Sequence, residues 1–340
     1  MKVVFLDPVE ERLGDMPEQY LPAPQFEVIR GTTPGELPPG WEQADAAVWW
    51  DTPVDRALID QMPNLKFMQR VGWFRGKGDA TAALERGIPV AVTPFGVSDR
   101  VAQHGFTLTM MLLRRMRVAM DALERRLNPE ELTEQLADTP GQNTINWARL
   151  TDIQSLNDKT VGILGFGEIG ACYAHMLPPF HTRTLVHRRR PLTAEQEAYY
   201  GVKSASMEEL LRESDVVVSF VPGIPEALKM LGAEQFAMMK KTAYFVNCGR
   251  ARTVDDDALL AALREKRIAG AGIDVFAIEP LPRNSEFREL DNVILTPHSA
   301  GGPAGWTDTF ARLRMNLDRV AAGRGDEVVI QLKKGDYQPE

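Results

Sequence analysis

Cysteine is nearly absent from the 340-residue chain, which contains only Cys172 and Cys248. Two thiols cannot build a disulfide framework, so the sequence favours a reducing cytoplasm as the compartment. Long apolar runs are absent too, because stretches such as Thr107–Leu113 fall well short of the roughly 18 residues that a membrane span needs. Basic residues are outnumbered, 39 Lys and Arg against 47 Asp and Glu, and the net charge of −8 is a poor balance for a protein that binds a nucleic-acid backbone.

Metal-ligand patterns are missing as well. The five histidines are scattered, and no cluster of His and Cys has the spacing of a metal site, so we predict no metal. The N-terminus reaches Asp7 after only four apolar residues, which predicts a first strand and not a signal peptide.

What the chain does contain is an ordinary globular composition, 44% hydrophobic and 25% charged, at a length that favours two domains. Short β-branched or apolar runs alternate with helical patterns between residues 3 and 92, and again between 160 and 295. This alternation predicts an α/β fold with two doubly wound, mostly parallel sheets. The apolar pattern over Val101–Glu124 predicts one helix that links the two units, and the turn-rich stretch 125–157 predicts an arm that contacts a partner.

The strongest local signal is a G-x-G-x-x-G pattern between the apolar run Thr160–Leu164 and a helical pattern. In a dinucleotide site the first glycine permits a tight turn, the second lets the pyrophosphate approach the backbone, and the third allows close helix–strand packing. The alternative is a glycine-rich turn without a ligand. The predicted cofactor contacts in this turn are Gly165, Phe166, Gly167, Glu168, Ile169 and Gly170.

The end of the next predicted strand bears on the choice of dinucleotide. NAD sites usually carry an acid about 20 residues after the glycines, for the ribose hydroxyls. None occurs from Ala171 to Ala194, and the strand end has His187 followed by three arginines. Since guanidinium groups bind phosphate in a bidentate fashion, we predict NADP, with NAD as second choice, held at its adenosine end by His187, Arg188 and Arg189. The alternative is a solvated loop.

Three further segments each follow a predicted strand of the second unit, namely Asn247–Arg250, Ile273–Pro280 and Leu295–Gly302. Doubly wound sheets place their ligands at these strand ends. An Arg, a Glu and a His there suffice for carbonyl reduction: the cation orients a carboxylate and polarises the carbonyl, the His delivers a proton, and the Glu orients the His and favours its charged form.

Together the glycine motif, the Asn-x-x-Arg element, the Asp-Val-Phe-x-x-Glu-Pro element and the Thr-Pro-His element resemble the D-isomer-specific 2-hydroxyacid dehydrogenases, over about Val3 to Gly323. The resemblance implies that Arg250, Glu279 and His298 are the catalytic residues. It also implies further cofactor contacts, which are Pro222, Cys248, Asp274 and Ala300.

The family resemblance also implies a division of the chain. Residues 1–98 and 300–340 would form a flavodoxin-like substrate domain, into which a Rossmann cofactor domain, 99–299, is inserted. The cleft between them would open and close about hinges near Ser98 and Ala300. A dimerisation arm over about 121–157 would build a homodimer.

Weaker similarities indicate the glyoxylate/hydroxypyruvate reductase branch, among them Ala44–Trp50 and Glu279–Pro282. Related formate dehydrogenases carry Gln in place of the active-site Glu. We therefore expect reduction of a small 2-oxo acid to the D-2-hydroxy acid with NADPH. The substrate-carboxylate loop departs from the family pattern Gly-x-Gly-x-Asp, which affects the expected substrate size. The predicted substrate contacts are Gly72, Trp73, Phe74 and Arg250.

Other interpretations stay open at this point. A dinucleotide-sensing corepressor of the same fold is the alternative function, although the acidic balance disfavours contact with DNA. Cys248 lacks an evident paired base and is expected to pack against the cofactor, and Asp274 is expected to support the Glu279–His298 pair. His104, on the predicted linking helix, is expected to be structural or to lie at the hinge.

Overall fold

Two mainly parallel β-sheets organise the chain in the computed structural model. The structure describes residues 1–9, 14–31, 33, 35–72, 80–94, 96–124, 146, 148–302, 305–328 and 331–332. Its first elements are β1 (Lys2–Phe5), α1 (Met16–Tyr20), β2 (Glu27–Arg30), β3 (Ala46–Trp49), α2 (Arg56–Asp60), β4 (Phe67–Val71), α3 (Thr81–Glu85) and β5 (Val90–Thr93).

The remaining elements follow in chain order. They are α4 (Gly96–Leu113), α5 (Met116–Glu124), β6 (Thr160–Leu164), α6 (Glu168–Ala174), β7 (Arg183–His187), α7 (Ala194–Tyr200), β8 (Lys203–Ser204), α8 (Met207–Glu213), β9 (Val216–Ser219), α9 (Ala233–Met238), β10 (Tyr244–Asn247), α10 (Asp256–Arg264), β11 (Gly270–Ile273), β12 (Val293–Leu295), α11 (Gly305–Ala321) and β13 (Gln331–Leu332).

The first sheet has the order β13-β5-β4-β3-β1-β2, with β13 antiparallel at one edge. Every residue of β3 and β5 is buried, because a parallel sheet is covered on both faces. One covering element is α11, whose buried Phe310, Leu313 and Leu317 share a core with Phe5 and Phe67. The last long helix of the chain therefore returns to the sheet that the first residues build.

The second sheet has the order β12-β11-β10-β9-β6-β7-β8, and all its strands are parallel. The chain leaves β6 for β7 and β8, then crosses back to β9 on the other side of β6. Leu164 pairs with Ser219 at the ends of β6 and β9, so the turns after these two strands lie side by side. Ligands of doubly wound sheets bind at this reversal of strand order.

The predicted linking helix over Val101–Glu124 is wrong as a single element. Helix α4 begins earlier, at Gly96, and a break separates it from α5. Arg115 lies in this break with φ of 52°, a left-handed conformation that a right-handed helix cannot contain. The apolar pattern continues through the break, so the sequence alone did not reveal it.

Two edge strands were not predicted, β8 and β13. Each has two residues and no apolar run, so each exists through its pairing with a neighbouring strand. Most of the predicted arm, 125–145 and 147, lies outside the described residues, and 148–157 contain neither helix nor strand. Within the described ranges, no helix combines the length and apolarity that crossing a bilayer requires.

Candidate active site

The glycines of the turn between β6 and α6 differ in what surrounds them. Gly165 has φ of +83°, and a Cβ there would lie 2.8 Å from the backbone nitrogen of Val221. A Cβ on Gly170 would lie 3.0 Å from the Gly165 carbonyl oxygen. A Cβ on Gly167, by contrast, would meet nothing within 4 Å. The chain's own packing demands the outer two glycines, whereas the space in front of Gly167 is open and fits a pyrophosphate against the backbone.

The other predicted contacts of this turn differ in what they can offer a ligand. Phe166 is buried and packs edge-on against Tyr200, with ring centroids 5.3 Å apart, so its ring belongs to the core. Glu168 and Ile169 are residues of the first turn of α6, and both are half-buried.

The arginine run lies beside the glycine turn. The backbone N–H of Gly165 donates to the carbonyl oxygen of His187 at 2.9 Å, which holds the end of β7 against the turn. The side chain of His187 is also fixed, because its Nδ1 lies 3.1 Å from the Ala205 carbonyl oxygen. Arg188 is half-buried and Arg189 is exposed. A phosphate on the ribose next to the glycine turn would therefore find cations and no carboxylate at position 188.

The segment after β10 packs onto the turn after β9. A Cβ on Gly249 would lie 2.7 Å from the Val221 carbonyl oxygen, so this close approach requires glycine. Gly223 makes room for the aliphatic part of Arg250, because a Cβ there would lie 3.2 Å from Cγ of that side chain. The Arg250 guanidinium donates from Nη1 to the Gly249 carbonyl oxygen at 2.8 Å and is exposed at the sheet edge, where Pro222 is exposed too.

Cys248, in the same segment, is buried. Burial, together with the Asp274 carboxylate, raises the pKa of its thiol far above the usual value. The thiol therefore stays protonated at neutral pH and packs as an apolar group, since only the thiolate is a nucleophile.

A histidine and a glutamate meet at the ends of β11 and β12. Nδ1 of His298 lies 2.7 Å from Oε2 of Glu279, and the other carboxylate oxygen accepts a 2.9 Å hydrogen bond from the backbone N–H of Phe276. The hydrogen bonds from His298 and Phe276 hold the pKa of Glu279 below its usual value, so this carboxylate is ionised at neutral pH. It accepts the Nδ1 proton, which leaves Nε2 of His298 to exchange a proton with a substrate.

Asp274 fastens the loop that carries this histidine. Its carboxylate is fully buried and accepts hydrogen bonds from the Thr296 hydroxyl at 2.6 Å and from the backbone N–H groups of Ser299 and Ala300 at 3.0 and 3.1 Å. Burial raises the pKa of Asp274, but these bonds and one from His104 outweigh it, so the pKa lies below the usual value. The carboxylate is charged and acts as an acceptor at all of these contacts.

These side chains share one edge because the strands are parallel. Gly165, Pro222, Arg250, Asp274 and His298 each follow the carboxyl end of a different strand of the second sheet. β11 separates the strand that leads to Arg250 from the strand that leads to His298, so these two strand ends lie roughly 10 Å apart, two strand spacings. The Arg250 guanidinium and the His298 imidazole thus follow strand ends on either side of β11, a separation on the scale of a small molecule.

On the first sheet, Gly72 directly follows β4 with φ of 101°, and its N–H donates to the Thr93 carbonyl oxygen at 2.7 Å. The other two predicted substrate contacts, Trp73 and Phe74, lie outside the described residues. Two residues that sequence reasoning did not assign to the site contact Asp274. These are Thr296, which lies inside the Thr-Pro-His motif, and His104, which is distant in sequence and left no local signal.

Comparison with known proteins identifies the family. The sequence pattern of the D-isomer specific 2-hydroxyacid dehydrogenase, NAD binding domain, matches residues 122–300. Glyoxylate/hydroxypyruvate reductase B of Yersinia enterocolitica is 30% identical over 297 residues, which are 87% of this chain and 86% of that protein. Glyoxylate reductase of Pyrococcus furiosus is 36% identical over 287 residues, 84% of this chain and 78% of that protein. The chain belongs to the D-isomer-specific 2-hydroxyacid dehydrogenase family.

Solved structures agree with this D-2-hydroxyacid dehydrogenase fold. The TT0316 protein of Thermus thermophilus is 27% identical, with a TM-score of 0.54 over 98% of this chain and 100% of that one. A D-isomer-specific 2-hydroxyacid dehydrogenase of Xanthobacter autotrophicus, solved with NADPH and MES, is 25% identical, with a TM-score of 0.52 over 98% of this chain and 99% of that one. The predicted family, its two-domain α/β fold, the enzyme class and a nicotinamide dinucleotide as cofactor are confirmed.

Proposed function

We propose that this dehydrogenase reduces small 2-oxo acids of the glyoxylate and hydroxypyruvate class to D-2-hydroxy acids with NADPH. The observation that carries the proposal is the Glu279–His298 pair, 2.7 Å apart at the edge where the glycine turn lies, with Arg250 two strands away. The substrate class follows the curated relatives, which are named glyoxylate reductases and glyoxylate/hydroxypyruvate reductases.

Three side chains divide the chemistry. The exposed Arg250 guanidinium binds the substrate carboxylate and polarises the carbonyl oxygen. His298, with Nδ1 bound to Glu279, donates the Nε2 proton to the carbonyl oxygen as the alcohol forms. Glu279 fixes the imidazole orientation and balances its positive charge. The bound nicotinamide supplies the hydride.

The dinucleotide would be held along the edge of the second sheet. We assign the pyrophosphate to the open space before Gly167, and the 2′-phosphate to Arg188 and Arg189 beside His187. The NADPH-bound relative from X. autotrophicus supports this preference. The remaining assigned contacts are Gly165, Phe166, Glu168, Ile169, Gly170, Pro222, Cys248, Asp274 and Ala300.

The division of the chain into a substrate domain and a cofactor domain is part of the same proposal. Residues 1–98 and 300–340 form the substrate domain, whose loop at Gly72 meets the substrate carboxylate, and 99–299 form the cofactor domain. The packing of α11 against the first sheet supports the return of the chain after residue 300.

We also propose a cytoplasmic homodimer formed through the linking helices and the arm. Helix α5 supports this, because its Met116, Met120 and Leu123 side chains are 41%, 51% and 63% exposed, a cluster that a partner would cover. Light scattering at micromolar concentration should give twice the chain mass. A monomer under those conditions would contradict the proposal.

A panel of 2-oxo acids tests the function. Glyoxylate, hydroxypyruvate and a bulkier 2-oxo acid are each supplied with NADPH or NADH, and cofactor oxidation is followed. Hydroxypyruvate is the informative substrate for stereochemistry, because its product is chiral and should be the D isomer. If neither cofactor is oxidised with any member of the panel, while either cofactor still binds, the chain is a dinucleotide-sensing binding protein and the proposal is wrong.

A further inference from the structure

His104 joins the linking helix to the loop that carries the proposed proton donor. It lies in α4, and its Nε2 is 2.9 Å from Oγ1 of Thr296 and 3.4 Å from Oδ1 of Asp274. Thr296 lies 192 positions further along the chain than His104, and Asp274 is also far away in sequence. The side chain is 21% exposed, so solvent competes little for these contacts.

The direction of each hydrogen bond follows from the partners. Asp274 is ionised and can only accept, so the Thr296 hydroxyl donates its single proton to Oδ1 at 2.6 Å. Towards His104 that hydroxyl can then only accept. Nε2 of His104 therefore carries a proton and donates it, which makes the imidazole a fixed donor to the Thr296–Asp274 pair.

The pair that receives this donor controls the backbone around His298. Asp274 accepts from the N–H groups of Ser299 and Ala300, the two residues directly after the histidine. His298 itself has φ of 51°, a left-handed conformation that costs a non-glycine residue energy and persists only where its surroundings hold it. The loop conformation thus depends on Asp274 staying in place.

We propose that His104 is a positioning residue, which holds Asp274 and Thr296 so that the 296–300 loop presents His298 to the substrate. The inference rests on the proposed role of His298 as proton donor. His104 would then contribute to turnover and not only to the packing of α4, because its Nε2–H group holds the Thr296–Asp274 pair and, through that pair, the loop.

Two substitutions separate the donor from the ring. His104→Phe keeps a ring of similar size without a donor, whereas His104→Gln keeps an N–H near the position of Nε2. We expect His104→Phe to lower kcat about 10- to 100-fold, the scale of a misplacement near 1 Å, and His104→Gln to stay within about 3-fold of wild type. Thr296→Val removes both the contact with His104 and the hydrogen bond to Asp274. It should therefore lower kcat at least as much as His104→Phe, and it provides a second test if His104→Phe folds poorly.

The decisive measurement repeats His104→Phe in a His298→Ala background, with thermal unfolding and NADPH affinity measured throughout. If His104 acts through His298, its loss should lower the residual rate by less than about 2-fold, because coupled residues are not additive. An equal loss in both backgrounds, or a His104→Gln variant as slow as His104→Phe, would overturn the proposal and leave a packing role. Wild-type turnover in His298→Ala alone would instead overturn the proposed function on which it rests.

Discussion

Replacing Arg188 with Asp should invert the cofactor preference. The Gly165–His187 hydrogen bond of 2.9 Å fixes the end of β7 against the glycine turn, so the side chain that follows lies where the adenosine ribose would bind. A charge-assisted hydrogen bond is worth roughly 1.5 to 3 kcal/mol, or about 10- to 150-fold in affinity. Arg188 is half-buried, so water weakens the contact and the lower part of that range applies.

The assay compares kcat/KM for NADPH and NADH in the wild type and in Arg188→Asp. The wild type should prefer NADPH by at least about 10-fold, and this preference should weaken as salt screens the phosphate contact. The variant should lose NADPH affinity and keep kcat, because the adenosine end is remote from the reacting carbon. Arg190→Asp is the matched control, since it makes the same charge change at an exposed position two residues further along.

The refuting result is simple to obtain. If the wild-type enzyme binds NADH at least as tightly as NADPH, the arginine run is a solvated loop. The same conclusion follows if Arg190→Asp shifts the preference as much as Arg188→Asp does.

Three further predictions concern the reaction and the glycine turn. His298→Ala should lower kcat by roughly 10² to 10⁴ with little change in cofactor affinity, and normal turnover would exclude it as the proton donor. Glu279→Gln should move the alkaline limb of the pH–rate profile for reduction to lower pH, because the imidazolium loses its anionic neighbour. In the wild type the pKa of Glu279 is lowered, so this carboxylate stays ionised throughout that pH range. An unchanged profile would make Glu279 structural. Gly165→Ala should cost about 1 to 3 kcal/mol of stability in thermal unfolding, because the residue has a positive φ and the new Cβ would lie 2.8 Å from the Val221 nitrogen. Gly167→Ala should unfold like wild type yet bind dinucleotide less tightly. Equal melting temperatures for the two glycine variants would refute that distinction.

Much of the fold and the candidate site was accessible from the sequence because it is encoded locally. Most of the strands coincide with short runs rich in apolar residues, since both faces of a parallel sheet are covered. The chemistry-bearing segments follow those runs directly, so the parallel arrangement alone brings Arg250, Glu279 and His298 to one edge. Local patterning thus indicated the two doubly wound sheets and the glycine turn. The motifs after the strands carried the family resemblance, which implies the three residues proposed for catalysis.

The tertiary structure decided the features that depend on distant partners. The break at Arg115 is invisible to an apolar periodicity that continues across it, and β8 and β13 exist only through edge pairing. Why Gly249 must be glycine appears only against the backbone of Val221. The contacts of His104 with Asp274 and Thr296 likewise appear only in the folded chain, whereas the sequence predicted only a structural residue or one at the hinge. A hydrogen bond between residues far apart in sequence leaves no spacing to detect.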